Sequence, residues 1–159
     1  MKASISILSL LLFTFILSIS PSCFGQVIKV RIINGRDGNP LPKQPIAVSP
    51  LYEEGEQKPE KYDALLHHDT DAKGTAQFDL PEPSPAHLSV GARLTSKYWH
   101  CGCDIPARVV TKELVQKGIV VGRELSSPTT SVNAEPGEIL FVARPLTFFQ
   151  RLFYPLLKD

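Results

Sequence analysis

Leu88, Val90, Ala92 and Leu94 alternate with Ser89, Gly91, Arg93 and Thr95, the cleanest period-two run in a chain of 159 residues. Successive side chains of a strand point to opposite faces, so such a run buries one side and needs a second layer to cover it. The same rhythm opens the region after residue 25, where Ile28, Val30 and Ile32 share one face and Lys29 and Arg31 the other. Ile46 to Val48 reads as a short strand whose flanking prolines belong at a sheet edge or at strand ends. Asp63 to Thr70 predicts a further strand, and Thr75 to Leu80 another, with Ala76, Phe78 and Leu80 on its buried face. Five short strands with no strong helical period before residue 105 predict a mainly β chain built as an antiparallel β-sandwich, not a βαβ fold.

Turn chemistry separates these runs. Asn34-Gly35 and Asp37-Gly38 are dipeptides that tolerate the positive backbone dihedrals of tight reversals. Asp69-Thr70-Asp71-Ala72-Lys73-Gly74 precedes Thr75 and predicts a hairpin. Tyr52 to Lys61, hydrophilic and rich in carboxylates, is expected to be an exposed loop. Pro81-Glu82-Pro83-Ser84-Pro85 lacks a backbone donor at each proline and reads as a stiff connector.

Three of these stretches carry a family likeness. The run from Val30 to Pro42 (Val-Arg-Ile-Ile-Asn-Gly-Arg-Asp-Gly-Asn-Pro-Leu-Pro), the run from Thr70 to Phe78, and the Leu80-Pro81 exit together resemble the carboxypeptidase regulatory-like and transthyretin-like β-sandwich family. The likeness covers roughly residues 26–95 and rests mostly on turn positions. It implies an Ig-like or transthyretin-like sandwich, and a non-catalytic module of a secreted or surface protein.

The N-terminus bears on compartment. Residues 1–25 carry one charge, Lys2, then an apolar or small run from Ile5 to Ile19 and a breaker at Pro21. That pattern is a secretory signal peptide, shorter than the roughly 20 apolar residues of a spanning helix. Cleavage after Gly25 starts the mature chain at Gln26; the alternative, cleavage before Cys23, makes Cys23 a lipid-modified N-terminus. The expected location is therefore the periplasm or the cell exterior. The 17 Lys and Arg against 16 Asp and Glu become 16 of each once Lys2 is lost, so the mature chain lacks the basic footprint of a nucleic-acid binder.

The second half is less regular. Thr111 is placed to cap a helix from Lys112 to Lys117 that stops at Gly118. Ile119 to Val121 is a candidate strand, Ser126 to Pro136 a polar loop, and Glu138 to Ala143 a last strand, closing a domain of residues 26–145. In the remaining tail, 146–159, Thr147 and Gln150 stand in capping-box spacing. On a helical wheel Phe148, Phe149, Leu152, Phe153, Leu156 and Leu157 fill one half, so a short amphipathic helix is expected there. A helix of that length is marginal alone and must dock on its own domain, on a partner protein or, with little cationic charge to assist, on a membrane surface.

Four constellations invite chemical readings. Asp69-x-Asp71-x-Lys73-Gly74 begins like a calcium loop, but Lys73 and Leu80 occupy positions that need oxygen ligands. His67 and His68 are adjacent on a strand and so point to opposite faces. His100, Cys101 and Cys103, beside Trp99, offer an imidazole and two thiolates suited to a soft metal, with His67 or His68 as a further ligand. In an oxidising compartment Cys101 and Cys103 are equally candidates for a strained, reducible local disulfide. Trp99 itself is expected to fill the core or lie beside these thiols. Catalysis of the kinds known on similar sandwiches is not expected. The chain ends Pro155-Leu156-Leu157-Lys158-Asp159 where transthyretin-like hydroxyisourate hydrolases end Tyr-Arg-Gly-Ser. Pro85-Ala86-His87-Leu88-Ser89 keeps one histidine of the pair that intradiol dioxygenases use for iron. The resulting expectation is an exported, non-catalytic binding or structural module with a protein partner and no cofactor. The alternative is a thiol-based redox or soft-metal protein centred on His100, Cys101 and Cys103.

Overall fold

The computed structural model describes residues 26–55, 66–94, 99–101 and 106–147, with the backbone alone at His100 and Cys101. The expected signal-peptide stretch with Cys23, the residue Cys103 and the tail from Phe148 onward lie outside the described residues.

Among the described residues the chain is mainly β, in two sheets with one α-helix. The strands in order are β1 (Val27–Asn34), β2 (Pro45–Leu51), β3 (Leu66–Asp69), β4 (Thr75–Asp79), β5 (His87–Ala92), β6 (Trp99–Cys101) and β7 (Ala107–Val110). Helix α1 (Thr111–Lys117), β8 (Ile119–Val121), a 3-10 turn (Arg123–Leu125) and β9 (Glu138–Pro145) follow. Sheet A runs β4-β1-β9-β6, with β8 also paired to β9; sheet B runs β3-β2-β5-β7. Sheet B is antiparallel throughout, as expected. In sheet A, however, β9 lies parallel to both β1 and β8.

The alternation read from the sequence sets the core. Ile28, Val30 and Ile32 of β1 and Ala76 and Phe78 of β4 meet Ile46 and Val48 of β2, Leu88, Val90 and Ala92 of β5, and Val109 of β7 in one buried cluster. Trp99 packs against the same cluster, in keeping with its expected role. Strand β9 behaves differently. Its run Glu138 to Ala143 is buried at every position, because Ile139, Phe141 and Ala143 face the core while Leu140 and Val142 face a second cluster with Ile33 and Val132. A continuous apolar run marks a strand covered on both faces. The cover is the 3-10 turn and the segment after it, through Leu125, Val132 and Ala134, together with Val120 of β8. The polar-looking loop of residues 126–136 is thus the roof of sheet A.

Two local expectations need correction. Asp69 to Gly74 is not a hairpin, since β3 pairs only with β2 and β4 only with β1; the turn carries the chain from one sheet to the other. Its turn chemistry is as expected, with Asp71 Oδ1 accepting from Lys73 N at 2.8 Å and Thr75 N at 2.9 Å. Thr111 does not cap α1. It is the first helical residue, and its hydroxyl donates to Pro85 O at 2.6 Å, pinning the helix to the proline connector, while Val110 occupies the cap position without a side-chain bond. The helix stops at Gly118, as expected, with Gly118 N donating to Leu114 O at 2.9 Å.

Candidate functional site: the outer face of sheet B

Both sheets bury their inner faces, but their outer faces differ. Sheet A is roofed by the segment after β8. No comparable apolar cluster lies on the outer side of sheet B among the described residues. The outward positions of its two central strands are small: Ala47 and Ser49 on β2, Ser89 and Gly91 on β5, all partly exposed. The registers His67↔Ala47 and Ala47↔Gly91 place these residues in one row across the sheet. Pro106, just before β7, extends the row beyond Gly91, because a Cβ built on Gly91 would lie 3.7 Å from the Pro106 ring. The absent Cβ is therefore what keeps the floor low.

The result is a half-open depression of about 590 Å³ lined by Pro45, Ile46, Ala47, His67, Gly91, Ala92, Arg93 and Pro106. Among the described residues its lining contains no carboxylate. Two rows away, the same face carries a polar cluster in which Glu53 Oε1 receives Arg108 Nη2 at 3.0 Å and lies 3.3 Å from His87 Nδ1. This cluster ties β5, β7 and the segment after β2 together.

The other charged cluster lies on sheet A and has a structural character. Glu138, only 1% exposed, takes Arg31 Nε at 2.8 Å and Arg31 Nη2 at 3.1 Å in a fork, with Lys29 Nζ at 3.3 Å and Glu135 N at 3.0 Å. Burial raises the pKa of its carboxyl, but the Glu135 amide, the Arg31 bonds and charge, and Lys29 together outweigh burial and hold it below the ordinary 4.5.

The metal reading fares differently from residue to residue. His100 and Cys101 sit on β6, paired with Arg144 and Ala143. His67 and His68 sit on β3, at the edge of sheet B that contacts β4. The His68 ring meets Phe78 of β4 edge-on, with centroids 5.0 Å apart. Strands β4 and β6 are the two ends of sheet A, three strand spacings or about 14 Å apart. Neither His67 nor His68 is therefore brought to the His100–Cys101 backbone as the further ligand the sequence suggested. Among the described residues no group of three His, Cys, Asp or Glu side chains is disposed to hold a metal, and no helix is long and apolar enough to cross a membrane. The paired thiols themselves fall outside the described residues through Cys103.

Sequence reasoning passed over Ala47, Gly91 and Arg93 as site residues. The signal was present in the run Leu88 to Thr95, whose outward positions are small until Arg93, but it reads as ordinary strand alternation until the partner strands are known. No family model matches the chain, and no curated protein matches it.

Proposed function

We propose that this chain is an exported, non-catalytic β-sandwich module, transthyretin-like in its layering, that binds its ligand or partner on the outer face of sheet B. The observation that carries the reading is the unequal treatment of the two sheets: one is roofed by chain, whereas the other presents a depression with a small-residue floor. Concave, largely preformed surfaces with a few polar groups at the rim are the usual form of binding sites. Support for the module class comes from the turn positions that resemble those of the carboxypeptidase regulatory-like family, where Asn34 and Asp71 side chains accept backbone hydrogens as turn-forming residues do. The signal peptide pattern supports export.

Gly91→Thr tests this reading. A β-branched residue suits a strand and its Cβ meets Pro106 at ordinary contact distance, so the fold is expected to persist, while the γ atoms fill the floor of the depression. The tagged mature chain should retain specific exported components that Gly91→Thr does not, as read by quantitative mass spectrometry. Gln77→Thr, on the outward face of β4, should behave as wild type. Equal retention by wild type and Gly91→Thr, with both folded, would contradict the proposal.

A further inference from the structure

Building on sheet B as the binding face, we propose that the depression is a site for a carboxylate carried on a short apolar body, with Arg93 as the anion's partner. The row from His67 through Ala47 and Gly91 to Pro106 crosses four strand positions, about 14 Å. That is long enough for a chain of several carbons or the last two residues of an extended peptide. Its floor, Ala47 and Gly91 with Pro45 and Pro106 beside them, offers no side-chain hydrogen bond. The strand backbones beneath are committed to the β2–β3 and β2–β5 ladders. An apolar body is what such a floor accommodates.

Charge selects the other end. Of the arginines on or beside the strands, Arg31 is neutralised by Glu138 and Arg108 by Glu53, Arg144 belongs to β9 of sheet A, and Arg93 follows β5 on sheet B. Arg93 is exposed at the rim, and among the described residues its guanidinium makes no ion pair or hydrogen bond. Asp69 shares the face through its pairing with Pro45. It stands two strands from Arg93, whose backbone N bonds Pro45 O, and it does not reach the guanidinium. His67 stands across the depression and adds a polar donor or acceptor. A planar guanidinium matches a carboxylate with two parallel bonds. A phosphate group would call for several convergent donors, and the described lining supplies no helix N-terminus or second arginine. A cationic ligand would meet Arg93 without a compensating carboxylate among the described lining residues.

The test uses the mature chain, residues 26–159, and amide chemical-shift titrations with four ligands: hexanoate, hexanamide, N-acetyl-Ala-Val-Leu as free acid, and the same peptide amidated. The expected result is that an acid binds at least about tenfold tighter than its amide, the worth of one charge-assisted contact, with shifts centred on Ala47, Gly91 and Arg93. Arg93→Gln should abolish the acid preference without changing the thermal midpoint, and Gly91→Thr should weaken acid and amide alike. Preference for hexanoate supports the site as one for free organic acids, and preference for the peptide acid supports it as one for chain termini. Equal binding of acid and amide, persistence of the preference in Arg93→Gln, or no binding of either acid at millimolar concentration would each overturn the carboxylate site. None of these touches the broader reading of sheet B, which the retention experiment with Gly91→Thr decides separately.

Discussion

Glu138 shows how a single buried charge can tie together distant parts of this chain. Its carboxylate joins β9 to Lys29 and Arg31 of β1 and closes the turn at Glu135. Because folding lowers its pKa, the associated stability is complete above the ordinary value of 4.5 and is lost as pH falls through the lower folded value. Glu138→Gln should cost about 2 kcal/mol at neutral pH in urea unfolding and flatten the decline of stability in acid; an unchanged acid slope would show that other carboxylates govern it. Nothing near Glu138 in the sequence announces this role, since Arg31 is 107 positions away. The outward placement of Lys29 and Arg31 was legible from alternation alone, but their shared partner was not. Arg93 was legible as an outward residue in the same way, and its freedom from ion pairs became visible only with the sheet registers.

At the level of elements, most strand interiors were readable, whereas the short strands β6 and β7 and the connections were not. The runs of β1, β4 and β5 announce their buried faces through period two, and β9 announces burial on both faces through Ile139-Leu140-Phe141-Val142-Ala143. The turn at Asp71 equally announces a reversal, but a reversal is compatible with a hairpin or with a crossing between sheets. The choice is made by which strands are free to pair, a long-range matter. Likewise, the hydrophilic composition of residues 126–136 concealed Val132 and Ala134, whose apolar side chains roof sheet A. The exit from α1 depends on a backbone position that only glycine fills comfortably. Gly118 has φ +69° and its missing Cβ would run into the Glu135 carbonyl. Gly118→Ala should therefore destabilise by about 2 kcal/mol or more, measured by denaturant midpoint, with Gly55→Ala, where nothing lies within 4 Å, as a milder comparison also at positive φ.

In the whole molecule, β9 is the strand that makes the halves interdependent. The family-like stretch, residues 26–95, contributes three strands of sheet B but only β1 and β4 of sheet A, and β1 requires β9 on its other side. A chain of residues 26–95 should accordingly show no cooperative unfolding transition by circular dichroism, whereas residues 26–147 should. The stretch beginning at Trp99, which marks the end of the family likeness in sequence, is in space the β6 edge of sheet A, paired to the end of β9. The proposed function rests on the face of sheet B that the described residues leave without a roof. The most direct measurement is a photo-crosslinking scan of the full-length protein in cells that express it, with a photoreactive side chain placed in turn at Ser49, Ser89 and His67 on sheet B and at Gln77 and Asp79 on sheet A. Adducts confined to the sheet B positions are the expected result, and adducts confined to the sheet A positions, or equal at both, would contradict the account.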